Sequence, residues 1–295
     1  MAGIDAEFKA HVETGVTTLC RCWSISRSDG TRFGFTDHDE NLAFDGLVFK
    51  ADTGLSALAL QQSTGLSVDN TEAIGALSDA SIREDDIQAG RFDGAEVQAW
   101  MVNWADVSVR WLQFRGSIGE IRRGSGAFHA ELRGLTEALN RPLGRIFQKP
   151  CTAVLGDRGC GMDLGEQGFS QELEVETVDE SRRFHWTDFD TFEPGWFARG
   201  RLLVLSGEAK GLWASIKRDT YEAPTRKIEV WEAIRQTVRP GDRVRLEPGC
   251  DKRFETCRFK FNNLINFQGF PDIPSEDWVM SVPRQNGTNA GGSLR

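Results

Sequence analysis

Short apolar/polar alternations separated by tight turns constrain this chain more than any other feature. Val16 to Ile25 alternates, Ser28-Asp29-Gly30 turns, and Arg32 to Thr36 resumes the strand pattern. Leu42 to Lys50 carries another turn at Asp45-Gly46, and Ala95 to Asn103 and Trp111 to Gly116 extend the series. The second half repeats the theme in Gln171 to Val178, Arg201 to Leu205, Ala214 to Arg218, Lys227 to Val230 and Asp242 to Leu246. A turn at Thr237 to Asp242 precedes the last of these. Strands this close together fit barrels or sandwiches, not a regular alternation of strand and helix. The expected fold class is mainly β (α+β) with a few helices.

Three segments read as helices. Ser81 to Gly90 has acids in its first turns and a terminal Gly. Leu132 to Phe147 places Leu135, Leu139, Leu143 and Ile146 at helical spacing, with Pro142 as a kink. Asp251 to Phe267 is closed by the Gly and two Pro of Gly269 to Pro274. A chain of 295 residues accommodates two domains. The middle helix marks the expected boundary: a β-rich domain over 1–140, then a second over 141–282 holding a cysteine cluster and the terminal helix. Residues 283–295 are polar and Gly-rich, a tail that stays flexible or is ordered by a partner.

Composition removes several function classes. With 44 acids against 35 bases the net charge is −9, which argues against a protein that wraps nucleic acid in a basic groove. No apolar run approaches the roughly 18 residues of a membrane span, and the opening MAGIDAEFKAHVETG lacks a signal-peptide core. The expectation is synthesis in the cytoplasm, where disulfides are an improbable use for six cysteines. There is no G-x-S-x-G elbow and no phosphate-binding loop, and His11, His38, His129 and His185 are scattered. Asp37 to Asn41 begins like a calcium loop, but Leu42 stands where Gly is needed and Val48 where Glu is needed, so it reads as a turn. Asp188, Asp190 and Glu193 imitate a carboxylate pair, yet Trp186, Phe189 and Phe192 interleave with them as in a surface loop. The chain reads as a non-enzyme.

Four cysteines fall into two pairs. Cys151 and Cys160 enclose eight residues, Cys250 and Cys257 enclose six, and 89 residues separate the pairs. One reading is free thiols that pack as small hydrophobes. The other is a four-thiolate metal site. Structural zinc favours cysteines two to four residues apart, tighter than either pair. Iron–sulfur clusters tolerate wider spacing, which places them ahead while zinc stays open. On one straight helix Cys250 and Cys257 would lie about 10.5 Å apart along the axis, so the site requires Cys250 before the helix and Cys257 on it. Lys252, Arg253 and Arg258 could offset its charge. Cys20 and Cys22 point to one face of a strand and read as packing residues beside Trp23.

These cysteines carry a resemblance. Arg141-Pro-Leu-Gly-Arg-Ile-Phe-Gln-Lys-Pro-Cys151, then Leu155-Gly-Asp-Arg-Gly-Cys160-Gly-Met-Asp-Leu164, resembles the tail hub and tail-tip proteins of long-tailed phages and of gene transfer agents. Gly249-Cys250-Asp-Lys-Arg-Phe-Glu-Thr-Cys257, Phe261-Asn-Asn and Asn266-Phe-Gln-Gly-Phe-Pro271 are similar too, as are Gly34-Phe-Thr-Asp-His-Asp39, Phe44-Asp-Gly46 and the closing Gly291-Gly-Ser-Leu294. The resemblance implies small β-barrel hub domains assembled as a homotrimeric ring at the distal end of a tail tube. That ring would join the distal tail protein to other baseplate and host-contact proteins and leave a channel for DNA ejection. It further implies a structural four-iron four-sulfur (4Fe-4S) cluster on Cys151, Cys160, Cys250 and Cys257, with zinc as the alternative. The location implied is the tail baseplate of a virion or phage-like particle. The readings set against this are an iron–sulfur electron-transfer protein and a baseplate cell-wall hydrolase.

Overall fold

The computed structural model describes residues 5–51, 55–56, 70–75, 83–124, 127–134, 144, 146–166 and 168–273. The chain divides into two units, Met1–Pro142 and Leu143–Arg295.

The first unit opens with α1 (Ala6–Glu13), whose N-terminus is capped by Asp5 accepting the Glu7 amide at 3.2 Å. Its strands are β1 (Leu19–Ser26), β2 (Arg32–Thr36), β3 (Leu42–Phe44), β4 (Leu47–Phe49), β5 (Leu55–Ser56), β6 (Asn70–Gly75), β7 (Glu96–Asn103), β8 (Arg110–Gly124) and β9 (Ala127–Gly134), with α2 (Glu84–Gln88) before β7. Seven form one antiparallel sheet in the order β2-β1-β7-β8-β9-β6-β5. β3 and β4 form a separate hairpin whose two turn residues, Asp45 and Gly46, both have positive φ (51° and 69°), as a type I′ turn requires. The hairpin is stitched to β2 by Lys50, which donates to the Gly34 carbonyl and accepts the Thr36 amide, each at 3.0 Å.

Around β1 and β7 this sheet is covered on both faces. Trp23, Ile25, Phe35, Val97, Ala99 and Phe114 pack on one side, and Cys20, Cys22, Phe44, Phe49, Trp100 and Val102 on the other. Phe44 and Phe49 stack at 4.1 Å, and both meet Trp100 edge-on. Cys20 and Cys22 are therefore packing residues, and Trp23 belongs to the opposite face.

The second unit contains β10 (Gln171–Glu174), β11 (Thr177–Asp179), β12 (Arg183–Thr187), β13 (Arg201–Val204), β14 (Trp213–Glu222), β15 (Thr225–Val230) and β16 (Arg243–Glu247). Their order is β10-β16-β13-β14-β15-β12-β11. Only Val175 and Glu176 separate β10 from β11, yet these strands stand at opposite ends of that order, so the sheet curls round on itself into a small barrel. Two bends make its corners. One is the β10–β11 link; the other is a register shift between Ile216 and Arg218, where β14 leaves β13 for β15. Inward residues alternate along five of the staves: Phe184 and Trp186, Leu202 and Val204, Ala214 and Ile216, Ile228 and Val230, Val244 and Leu246. The barrel also encloses a fully buried ion pair. Arg226 donates to Asp219 through Nε (2.9 Å) and a terminal nitrogen (2.7 Å), and its remaining donors reach the carbonyls of Phe192 (2.7 Å) and Glu193 (2.8 Å). The molecule is mainly β with few helices.

Several local expectations are corrected. Leu132 lies in β9, opposite Ile118 and Thr71, so the expected helix over Leu132 to Phe147 does not start there. Ile146 and Phe147 have no regular structure, and residues 135–143 lie outside the described residues, as does 283–295. The loop around Asp188 is no surface loop: Phe189, Phe192 and Phe197 are core residues beside Trp186 and the Arg226 guanidinium. The expected helix over Asp251 to Phe267 is only α3 (Phe254–Phe259) followed by a 3₁₀ turn, Leu264–Asn266. The break falls at Asn262, whose φ of 46° is left-handed and incompatible with a continuing helix.

Candidate metal centre

The barrel topology brings the two cysteine pairs together. β10 runs antiparallel to β16 with Gln171 opposite Leu246, so the chain enters and leaves the barrel at the same end of this seam. Cys151 and Cys160 lie before the entry, and Cys250 and Cys257 follow the exit. All four line one small cavity that opens to solvent, with Leu155, Lys252, Phe261 and Asn263 among its walls. Cys250 precedes α3 and Cys257 lies on it, the arrangement the spacing required. Cys257 is buried and the other three are half-buried; none forms a disulfide.

Each half of the site has its own scaffold. In the first, Asp157 accepts the amides of Val154 (2.8 Å) and Cys160 (2.7 Å), tying the loop into a compact turn. Those amides, the Cys160 amide foremost, hold the Asp157 carboxyl below its usual range. In the second, Gly249 lies so close to Ala198 that an added Cβ would overlap its carbonyl oxygen. The Gly249 amide donates to the Trp196 carbonyl at 3.1 Å, which anchors the approach to Cys250 on the barrel. Lys260 reinforces this anchor by donating to the carbonyls of Trp196 (2.5 Å) and Gly249 (2.8 Å) while lying 4.4 Å over the Trp196 ring. Burial lowers the Lys260 pKa to about 8.

The halves are joined directly. The Cys151 amide donates to the Lys252 carbonyl at 2.8 Å, and Lys252 Nζ donates to the Ala153 carbonyl. Lys252 itself has a φ of 67°, an uncommon conformation for a side-chain-bearing residue, held here by these contacts. Asn263 Nδ2 donates to the Cys160 carbonyl at 2.7 Å.

Two sulfurs accept hydrogen bonds: Cys151 from the Gln268 amide (3.4 Å) and Cys160 from Asn263 Nδ2 (3.5 Å). Such donors favour the thiolate form. Against them, burial raises the Cys250 pKa and pushes Cys257 up to about 11, with the charges of Cys151, Cys250 and Cys160 adding to the latter. The added cost of ionising Cys250 and Cys257 beside other cysteines is what a bound cation relieves. Among the described residues, no three His, Cys, Asp or Glu side chains converge tightly enough to ligate one ion. The thiols surround a space, not a point. The donor set is all sulfur, which suits zinc or an iron–sulfur cluster.

The sequence pointed to the four cysteines and to Lys252 but not to Asp157, Lys260, Asn263 or Gln268. Of these, only the Asn-Asn pair after Phe261 and the Asp inside the Cys151–Cys160 interval were visible as turn-forming signals. The carboxylates Asp188, Asp190 and Glu193 stand apart from this site, on the loop between β12 and β13.

Comparisons with known proteins agree with this architecture. Residues 5–163 match the family described as "Baseplate hub protein, N-terminal attachment domain", and residues 195–277 match "Phage conserved hypothetical protein BR0599". A comparison with curated protein sequences gives no match. Among solved structures, a chain of the "Virion of native gene transfer agent (GTA) particle" is 52% identical with a TM-score of 0.91, covering 99% of this chain and 100% of that one. No described helix is long and apolar enough to cross a membrane. The chain thus belongs to the baseplate hub proteins, structural components of the tail of phage-like particles and not enzymes.

Proposed function

We propose that the protein forms a homotrimeric ring at the distal end of the tail tube, bound to the distal tail protein on one side and to host-contact proteins on the other. In this reading the ring encloses a channel through which DNA passes without specific binding. The observation that carries it is the match along nearly the whole chain to a component of a gene transfer agent virion. A trimer would carry a net charge of −27, three times the −9 of one chain, and an acidic channel wall would keep passing DNA from adhering. Assembly of the purified chain, read by mass photometry and electron microscopy, tests the ring. A protein that stays monomeric and is never incorporated into tails would sink it.

Within the ring, Cys151, Cys160, Cys250 and Cys257 hold a structural 4Fe-4S cluster, with zinc as the alternative. The supporting observation is that four thiols from both sides of the barrel seam line one open space. A group bound there closes a loop containing the whole barrel, which restricts the unfolded chain as a long-range cross-link does. Anaerobic purification followed by iron, sulfide and zinc analysis decides between the two. Zinc without iron would remove the cluster and leave the hub standing.

A further inference from the structure

We infer that Asn263 is the positioning residue that holds the two halves of the cysteine site in register, an inference that rests on the four-cysteine reading above. Asn263 is buried, at 9% exposure, and every polar group it carries is used on the site. Its Nδ2 donates to the Cys160 carbonyl (2.7 Å) and reaches Cys160 Sγ (3.5 Å). Its Oδ1 accepts Asn266 Nδ2 at 2.7 Å, and this fixes which end of the amide faces Cys160. Its main-chain amide donates to the Cys257 carbonyl (3.0 Å), and in the metal-free protein its own carbonyl accepts the Cys257 thiol proton (3.2 Å), a bond that a ligating thiolate gives up while the amide bond remains. One residue therefore holds a ligand from each pair, Cys160 by its side chain and Cys257 by its backbone.

This division makes the two roles separable. Asn263→Ala keeps the backbone bonds to Cys257 and deletes those to Cys160. Asn263→Asp keeps the shape but sets a carboxylate against the Cys160 carbonyl and sulfur, where repulsion replaces two donated bonds. Asn266→Ala removes only the group that orients the amide. A hydrogen bond donated to a ligating sulfur also draws off its negative charge, so its loss moves the potential of a bound cluster to more negative values.

The test uses the full-length protein and these three variants, purified anaerobically. Iron, sulfide and zinc per chain and the reduction potential are measured first. Each protein is then stripped with a chelator, and iodoacetamide alkylation of individual cysteines is followed by mass spectrometry. Expected results are a several-fold loss of bound metal in Asn263→Ala, a larger loss in Asn263→Asp and an intermediate one in Asn266→Ala. The potential of what remains bound shifts negative. In the stripped proteins Cys160 alkylates several-fold faster in Asn263→Ala than in the native chain, while Cys250 is unchanged and the barrel keeps its native circular dichroism. Equal Cys160 alkylation in native and Asn263→Ala proteins would overturn the inference. If the native chain holds no metal but the Cys160 rate still rises, the metal reading falls and the positioning role stands. Asn266→Ala, which deletes no contact to either cysteine, serves if Asn263→Ala fails to fold.

Discussion

In the N-terminal unit the sheet is buried on both faces around β1 and β7, with Cys22 and Val102 covered on one side and Phe35 and Ala99 on the other, whereas the C-terminal barrel buries one interior and leaves its outside to charge. The contrast shows in burial along the strands. β7 has consecutive buried residues at Ala99 and Trp100, where its pairing with β8 shifts register, while β15 alternates strictly inward through Arg226, Ile228 and Val230. On the barrel exterior Arg201 and Lys217 rest on the exposed rings of Trp213 and Trp231 and are held there by Glu247 and Glu229. Aromatic rings pack in both units; the second also admits a fully buried charged pair into its core and arranges loop carbonyls around it.

If that difference is real, single substitutions should act on one unit and spare the other, which hydrogen exchange read peptide by peptide can resolve. The largest effect is expected for Asp219→Asn. It leaves the Arg226 guanidinium buried without its counter-charge and should cost about 3–5 kcal/mol, with loss of protection across β13 to β15 and none in β1 or β7. Loss in both units at once would break the comparison. Val102→Ala should lower protection only in the N-terminal unit, by about 2 kcal/mol, since it removes two fully covered methyl groups from the cluster that holds Phe49 and Trp100.

The cysteine site gives a pH-dependent contrast. Cys257 in the folded chain is pushed from 9.0 to about 11, so the folded form keeps a proton that the unfolded chain surrenders first. The Cys257 contribution to the stability of the metal-free C-terminal unit should be constant below pH 9 and fall from there towards 11, superimposed on the opposite contribution of Lys260, which rises from about pH 8 towards 10.5. The stability difference between the native chain and Cys257→Val, read in urea titrations, should be constant below pH 9 and shrink above it; a difference that does not change with pH would show that the thiol contributes no such limb. The smallest effect is expected for Glu172→Gln. Its ion pair with Arg243 spans β10 and β16 at 2.6 Å, but both side chains are about half exposed, and the loss should stay below about 1 kcal/mol.

Strands and turns were legible in the sequence where one face meets water. Arg32 to Thr36 and the Asp45-Gly46 hairpin emerged with nearly their final bounds because alternation and turn chemistry agree there. β12 was missed because its residues run straight into Asp188 to Phe197, where charges lie beside aromatics. What hides those aromatics is the Arg226–Asp219 pair, contributed from more than twenty residues further along the chain. The helix expected over Leu132 to Phe147 failed at its start because leucines at spacings of three and four also occur where a strand ends. The helix after Cys250 was legible in place but not in length, since hydrophobic periodicity carries no sign of the left-handed turn at Asn262. The four cysteines were legible as a set; the groups that hold them are main-chain carbonyls and amides with the side chains of Asp157, Lys252, Lys260 and Asn263, none of which has a spacing rule.

The chain's entry and exit side by side at the β10–β16 seam have a mechanical consequence. Tension applied to the segments outside the barrel would peel that ladder open from one end, pair by pair, instead of shearing all four of its register pairs together. Peeling is the weaker geometry, because each step breaks one rung at a time. The contacts between residues 151–160 and 250–268 stand ahead of the first rung, so a pull delivered through the neighbouring tail segments meets the cysteine site before it reaches any strand.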